Sequence, residues 1–216
     1  MDKMSEIDGV DTGSVSAVCR CLWGEHDEFS RAYHDERWCK PVHDDDELFA
    51  MLVLEGMQAG LSWSLILKRE AGIRAACDGL QPAKVALYDE NKVQELLNNP
   101  AMIRSVRKIH AMIKNAHAFL QVQEEFGSFD NYIWGFVKGV QVDHRLVSEE
   151  HMPAKDALSE AVSKDLKKRG FTFVGPVIVY SYIQGIGLIN DHIVHCSFRQ
   201  ESIGLLVGIT DLPPAE

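Results

Sequence analysis

The chain has 216 residues, 46% of them hydrophobic, with 22 Lys and Arg against 32 Asp and Glu and a formal net charge of −10. That length bounds it to one domain or two small ones, and the hydrophobic fraction marks a globular chain able to bury a sizeable core. The acidic balance argues against a nucleic-acid partner gripped by bulk charge, and leaves that role only to local basic clusters.

Five cysteines, an odd number, are spread along the chain: Cys19, Cys21, Cys39, Cys77 and Cys196. Met1 to Gly13 is polar and acidic, without the basic-then-apolar pattern of a signal peptide. A reducing, intracellular (cytoplasmic) location is expected, with thiols free or on metal. The longest strongly apolar run, Val174 to Ile189, contains Pro176, Gln184 and three glycines. It is short for a membrane span and reads as a core helix, so no membrane partner is expected.

In chain order, 1–17 reads as a disordered leader and folding is expected from Val18 onward. His43-Asp44-Asp45-Asp46-Glu47 is a helix start, with Asp44 as cap and Glu47 completing a capping box. The run Leu48 to Leu54 that follows is apolar nearly all round, which predicts a buried helix. Glu55 ends that run. A carboxylate there must find donors or take up a proton. Gly56, Gly60 and Ser62 then predict a bend where a ligand can approach backbone, with Trp63 as a wall beyond it.

A second helix is expected from Ser62 through Leu65, Ile66 and Arg69. Pro82 opens a short one. Asp89 caps another, carrying Val93, Leu96 and Leu97 and ended by Asn98-Asn99-Pro100. Val106, Ile109, Ile113, Ala116 and Leu120 recur at steps of three and four, the stripe of a long amphipathic helix. Shorter helices are expected over Phe129 to Val137 and Asp156 to Arg169, with Gly170 past the end. Val177 to Ile189 reads as a second buried helix, and 201–216 as a loose tail. No stretch alternates with period two. The class is all-α, a compact bundle of about eight to ten helices.

Three constellations carry chemistry. His192 and Cys196 stand four apart, a spacing that puts both on one helix face, and Cys21 and His34 lie at the other end of the chain. Two Cys and two His make a closed tetrahedral Zn²⁺ site, structural rather than catalytic. Cys19, Cys39, His26 and His195 are alternative ligands on spacing alone. Arg104, Arg107 and Lys108 crowd the start of the long helix, where cations are unfavourable unless a phosphate sits there. Lys164, Lys167, Lys168 and Arg169 fit a plain exposed helix instead. Trp23, Tyr33, Trp38 and Trp63 lie near these ligands or Glu55, and ring faces around a carboxylate suit a flat cation.

Several motifs together resemble the 3-methyladenine DNA glycosylase I family over roughly Cys19 to Cys196. They are Arg20-Cys21-Leu22-Trp23, Tyr33-His34-Asp35-Glu36-Arg37-Trp38, Leu54-Glu55-Gly56-Met57-Gln58-Ala59-Gly60-Leu61-Ser62-Trp63, Lys167-Lys168-Arg169-Gly170-Phe171-Thr172-Phe173-Val174-Gly175 and Asn190-Asp191-His192. The resemblance implies a helix-hairpin-helix fold over 18–200, with a hairpin subdomain around 82–137. It implies one structural zinc on Cys21, His34, His192 and Cys196, stapling the N- and C-terminal segments. Glu55 and Tyr33 would hydrogen-bond the base, and Trp23, Trp38 and Trp63 would line the pocket. Arg104, Arg107 and Lys108 would help hold double-stranded DNA containing alkylated adenine, with the protein acting as a monomer. The implied reaction is hydrolysis of the N-glycosidic bond of 3-methyladenine, without strand cleavage. The wider superfamily carries an aspartate about one helix beyond the hairpin that this family lacks; Glu124 and Glu125 near that distance read as surface charges.

Arg37 and Cys39 stand where the family pattern has Glu and Gly, and Val106 where it has a second Arg. The residues by themselves also admit a binder of damaged DNA that releases no base, or a zinc-stabilised helical interaction protein.

Overall fold

A computed structural model describes residues 18–200. The leader expected over 1–17 and the tail over 201–216 lie outside the described residues. Nine α-helices are present among those described: α1 (Glu28–Glu36), α2 (Asp45–Gln58), α3 (Trp63–Ala76), α4 (Pro82–Val85), α5 (Glu90–Asn98), α6 (Val106–Phe126), α7 (Phe129–Gly135), α8 (Ala157–Lys168) and α9 (Pro176–Gly185). The all-α class expected from the periodicity holds. No described helix is long and apolar enough to cross a membrane.

Local chemistry explains most of the helix starts. Asp27, Asp44, Ser62, Asp89, Ser128 and Asp156 each accept a backbone N–H from the first turn of the helix they cap. The capping box expected at Asp44 is half made. Asp44 accepts from the Glu47 N–H, but the Glu47 carboxylate pairs with Arg74 at 2.7 Å. α6 differs from these helices, because its Ser105 makes no side-chain cap bond.

α2 is the hub. Leu48 through Glu55 are all buried, on every side of the helix, because α3, α6, α7 and α9 surround it. Long α6 packs on α2, α4, α5 and α7, and Phe119 stacks on Phe129 at 4.1 Å between ring centroids. Asp45 anchors the start of α7 by accepting the N–H groups of Phe129 and Asp130, each at 2.8 Å.

The second buried helix is shorter than expected. α9 stops at Gly185, and Ile189–Asn190 forms a parallel pair with Val142–Asp143. Two-residue strands are too short to leave an alternating pattern in sequence. The helix ends there because Gly187 takes φ +70° and lies against the Lys40–Pro41 backbone. A Cβ at that position would overlap the Lys40 carbonyl group. Gly187→Ala is therefore expected to cost about 3 kcal/mol or more of stability, read as a lower urea midpoint; an unchanged midpoint would show that this approach can relax.

Candidate functional site

Glu55 sits in the last turn of α2 with 3% of its surface exposed. Its Oε2 is buried without a hydrogen-bond partner. Burial alone pushes its carboxyl up to about 8. The cleft beside it is lined by Trp23, Tyr33, Trp38, Gln58, Trp63, Met152, Ser181 and Gln184, with a volume of about 200 Å³. That is below the ~300 Å³ floor of drug-sized pockets, so the cleft has room only for a small group.

The four rings expected near Glu55 do gather there. Trp23 meets Trp38 edge to face at 4.8 Å, and Tyr33 meets Trp63 at 5.3 Å. Such tilted contacts leave ring faces free for a ligand. Tyr33 is 4% exposed. Burial and then the neighbouring Glu55 charge hold its hydroxyl well above the ordinary phenol range, so it stays protonated. Gln58, Met152, Ser181 and Gln184 also line the cleft, and nothing in the sequence analysis singles them out for it. Gln58 follows Glu55 by three, a helical spacing that could have revealed it. Met152 comes from a loop and carries no such signal.

Behind Gln184 stands a buried polar layer. Its amide nitrogen donates to Asp191 Oδ2 at 2.7 Å. Asp191, fully buried, also accepts the Tyr180 hydroxyl at 2.6 Å and faces His144 Nδ1 at 2.7 Å. Packed this way, α9 presents one fixed wall to the cleft.

Against the far side of the rings lies a second cluster. One ligand atom each from Cys21, His34, His192 and Cys196 falls within 4.8 Å of the others, and all four residues are buried. Cys21 Sγ is 3.6 Å from His192 Nδ1, and Cys196 Sγ is 3.6 Å from His34 Nε2. The remaining ring nitrogens are engaged elsewhere. His34 Nδ1 meets Asp35 at 2.7 Å, and His192 Nε2 faces the Trp38 carbonyl at 3.3 Å. Outer partners of this kind fix the tautomer that leaves the inner nitrogen free for an ion. Burial pushes the His192 imidazole down to about 4, so it is neutral, as a ligand must be. These residues could hold a metal ion, and the donor set suits a tetrahedral one.

Two features differ from the sequence reading. His192 and Cys196 do not share a helix face, because the chain after the Ile189–Asn190 strand turns back on itself, with the Cys196 N–H bonded to the Ile193 carbonyl. Of the alternative ligands, Cys19, His26 and His195 are exposed, and the buried Cys39 Sγ instead accepts the Asp191 N–H.

The basic hairpin is split. Arg104 and Arg107 are exposed beside the uncapped start of α6. Lys108 is turned inward, donating to the Met57 and Ala59 carbonyls at 2.9 and 2.7 Å. Glu125 is paired with Arg169 at 2.6 Å, as fits a surface charge.

The Glu55 carboxyl gives a pH signature. Its value rises from an ordinary 4.5 to about 8 on folding. Between these limits the folded chain holds a proton that the unfolded chain has lost, so stability falls as pH rises through the window. Glu55→Gln removes the effect. Between about pH 5 and about pH 9 the variant should gain up to about 4 kcal/mol relative to wild type in urea unfolding. A constant gap between the two proteins contradicts the buried, unpaired acid.

Comparison with known proteins gives a consistent result. The profile of the methyladenine glycosylase family matches residues 23–200. DNA-3-methyladenine glycosylase 1 of Escherichia coli K12 is 42% identical over 177 residues, covering 82% of this chain and 95% of that protein. A Staphylococcus aureus structure described as the basis of 3-methyladenine recognition by 3-methyladenine DNA glycosylase I is 32% identical. It superposes with a TM-score of 0.82 and covers 84% of this chain and 97% of its own. Another 3-methyladenine DNA glycosylase I structure, solved in complex with 3-methyladenine, is 31% identical with a TM-score of 0.82, over 85% of this chain and 98% of its own. A match spanning nearly all the described residues, at these identities, means that the chain belongs to the methyladenine glycosylase family.

Proposed function

We propose that this protein is a DNA repair glycosylase that hydrolyses the N-glycosidic bond of 3-methyladenine in alkylated DNA, without lyase activity. The observation that carries the reading is the buried, unpartnered Glu55 carboxyl within a cleft of aromatic rings. The names of the relatives support the substrate.

Adenine methylated at N3 is cationic while attached to DNA. Before a base arrives, a carboxyl near 8 is mostly protonated at neutral pH. An arriving cation favours the ionised form, and the pair then shares a site from which water is excluded. Neutral adenine offers no such compensation to the acid or to the ring faces, which is the basis of selectivity. The base is reached only when flipped out of the duplex. Tyr33 and Glu55 then meet its polar edge, and Trp23, Trp38 and Trp63 flank it.

The chemistry needs little acid or base assistance. The C1′–N9 bond breaks with its electron pair passing to N9, which makes the leaving base neutral. Water adds to C1′ and gives its proton to solvent. No lysine adduct forms, so the strand stays intact.

Arg104 and Arg107 beside the uncapped amides of α6 suit a phosphate of double-stranded DNA. Residues 18–200 form one helical unit with a hairpin subdomain around 82–137, working as a monomer inside the cell. The Cys21, His34, His192 and Cys196 set is proposed to hold one Zn²⁺. With four protein ligands the ion has no open position for water, so it supplies cross-linking rather than catalysis.

Two measurements test this. Chromatography of bases freed from methylated DNA should show 3-methyladenine release, cut about 100-fold or more by Glu55→Gln, the scale of losing one preorganised electrostatic contact. Release unchanged by that substitution removes Glu55 from the mechanism. Elemental analysis should find one zinc per chain, with Cys196→Ala losing both metal and several degrees of melting temperature; a well-folded protein devoid of metal would refute the staple.

A further inference from the structure

Lys108 belongs by sequence to the basic hairpin, yet its ammonium group contacts the far end of another helix. Its Nζ donates to the Met57 carbonyl at 2.9 Å and the Ala59 carbonyl at 2.7 Å. Met57 lies in the last turn of α2, and Ala59 is the residue after it. Ala59, with φ −44° and ψ 112°, and left-handed Gly60, with φ +78°, turn the chain, and the Leu61 N–H closes that turn on the Gln58 carbonyl at 2.6 Å. The lysine takes the Met57 and Ala59 carbonyls on either side of that bond. It also sets a positive charge at the negative end of the α2 dipole, which relieves its unfavourable position in the first turn of α6. Among the described residues no carboxylate pairs with it, and burial pushes its pKa down.

Met57 lies two residues after Glu55, and Ala59 begins the bend to Trp63. Lys108 therefore grips the stretch that carries both the acid and one aromatic wall. A second contact from the same helix supports the other flank. Buried Asn115 donates to the Thr172 carbonyl at 2.9 Å and accepts the Thr172 N–H at 2.8 Å. Phe173, the next residue, packs against Gly56, with its Cβ 3.7 Å from where a Gly56 side chain would begin. α6 thus holds Glu55-Gly56 from two sides, and its first turn lies beside exposed Arg104 and Arg107.

We infer that Lys108 is a positioning residue that couples the hairpin to the base pocket, holding the last turn of α2 so that Glu55 and Trp63 face the same ligand, and is not a phosphate contact. This rests on the glycosylase reading for its substrate but not for its geometry.

The test compares Lys108→Met, Lys108→Arg and Arg107→Ala in the full-length, metal-loaded protein. Lys108→Met should leave the salt dependence of duplex DNA binding at the wild-type slope. It should slow single-turnover release of 3-methyladenine at saturating protein about tenfold or more, as expected of a misplaced contact group. Lys108→Arg, which can still donate to both carbonyls, should recover most of that rate. Arg107→Ala should do the reverse and lower the salt slope by about one. A slope lowered by Lys108→Met with release intact makes Lys108 a phosphate ligand and overturns the inference. Equal loss in Lys108→Met and Lys108→Arg also overturns it, since charge without reach would then be irrelevant. If the wild-type protein releases no base, the glycosylase reading falls by itself. Hydrogen exchange at the Ala59 and Leu61 amides then decides: faster exchange in Lys108→Met supports the clamp, and unchanged exchange removes it.

Discussion

The structure depends on keeping one carboxyl group out of water. Glu55 ends a helix whose every side is buried, and no donor meets its Oε2. An isolated charge in such a place is strongly disfavoured, so the group protonates until something cationic arrives. On the proposed function, the pocket senses charge before it senses shape. This also explains why the surroundings are so over-determined. α3, α6, α7 and α9 all pack on α2, and a loosely held acid would simply turn toward solvent.

The cluster of Cys21, His34, His192 and Cys196 bears on the same problem from outside. Cys21 is two residues from Trp23, and His34 adjoins Tyr33. His192 faces the Trp38 carbonyl, and its ring lies 4.6 Å from that of Trp38. Three of the cleft's rings are therefore carried on short levers from the proposed metal ligands. An ion there would fasten the walls as well as the chain ends. Packing and the contacts of His34 with Asp35 and of His192 with the Trp38 carbonyl already hold the four ligand atoms within reach of one another.

The departures from the family pattern have local explanations. Arg37 pairs with Glu70 at 2.7 Å, and its guanidinium lies 5.3 Å from the Tyr33 ring centroid. A cation thus braces the back of a pocket wall, with its charge offset by Glu70 and not by Glu55. Cys39, where the family pattern has Gly, takes φ +59°. The backbone there requires the left-handed region that glycine enters most readily. Its burial and its contact with the Asp191 N–H hold the conformation in glycine's absence. Val106 opens α6 as an exposed apolar residue, so Arg107 stands as the exposed cation of that first turn.

The amino-acid sequence was sufficient for whatever depends on neighbours a few residues away. Asp44 and Asp89 could be read as caps, and Ser62 and Asp156 as helix starts, because a cap acts on its own first turn. The stripe from Val106 to Leu120 and the all-apolar Leu48–Leu54 run announced α6 and α2, since periodicity is local. The ordered motifs also marked the family and the rings around Glu55. Tertiary structure alone decided what reaches across the fold. It turned Lys108 onto α2, although the sequence grouped it with Arg104 and Arg107. It brought His192 and Cys196 together through a turn rather than a helix, and it supplied Met152, Ser181 and Gln184 as cleft walls. It ended α9 at Gly185, where the following backbone runs against Lys40. A long flexible side chain or a loop has no periodicity to read, and its partner is set by whichever distant segment packing brings within hydrogen-bonding reach.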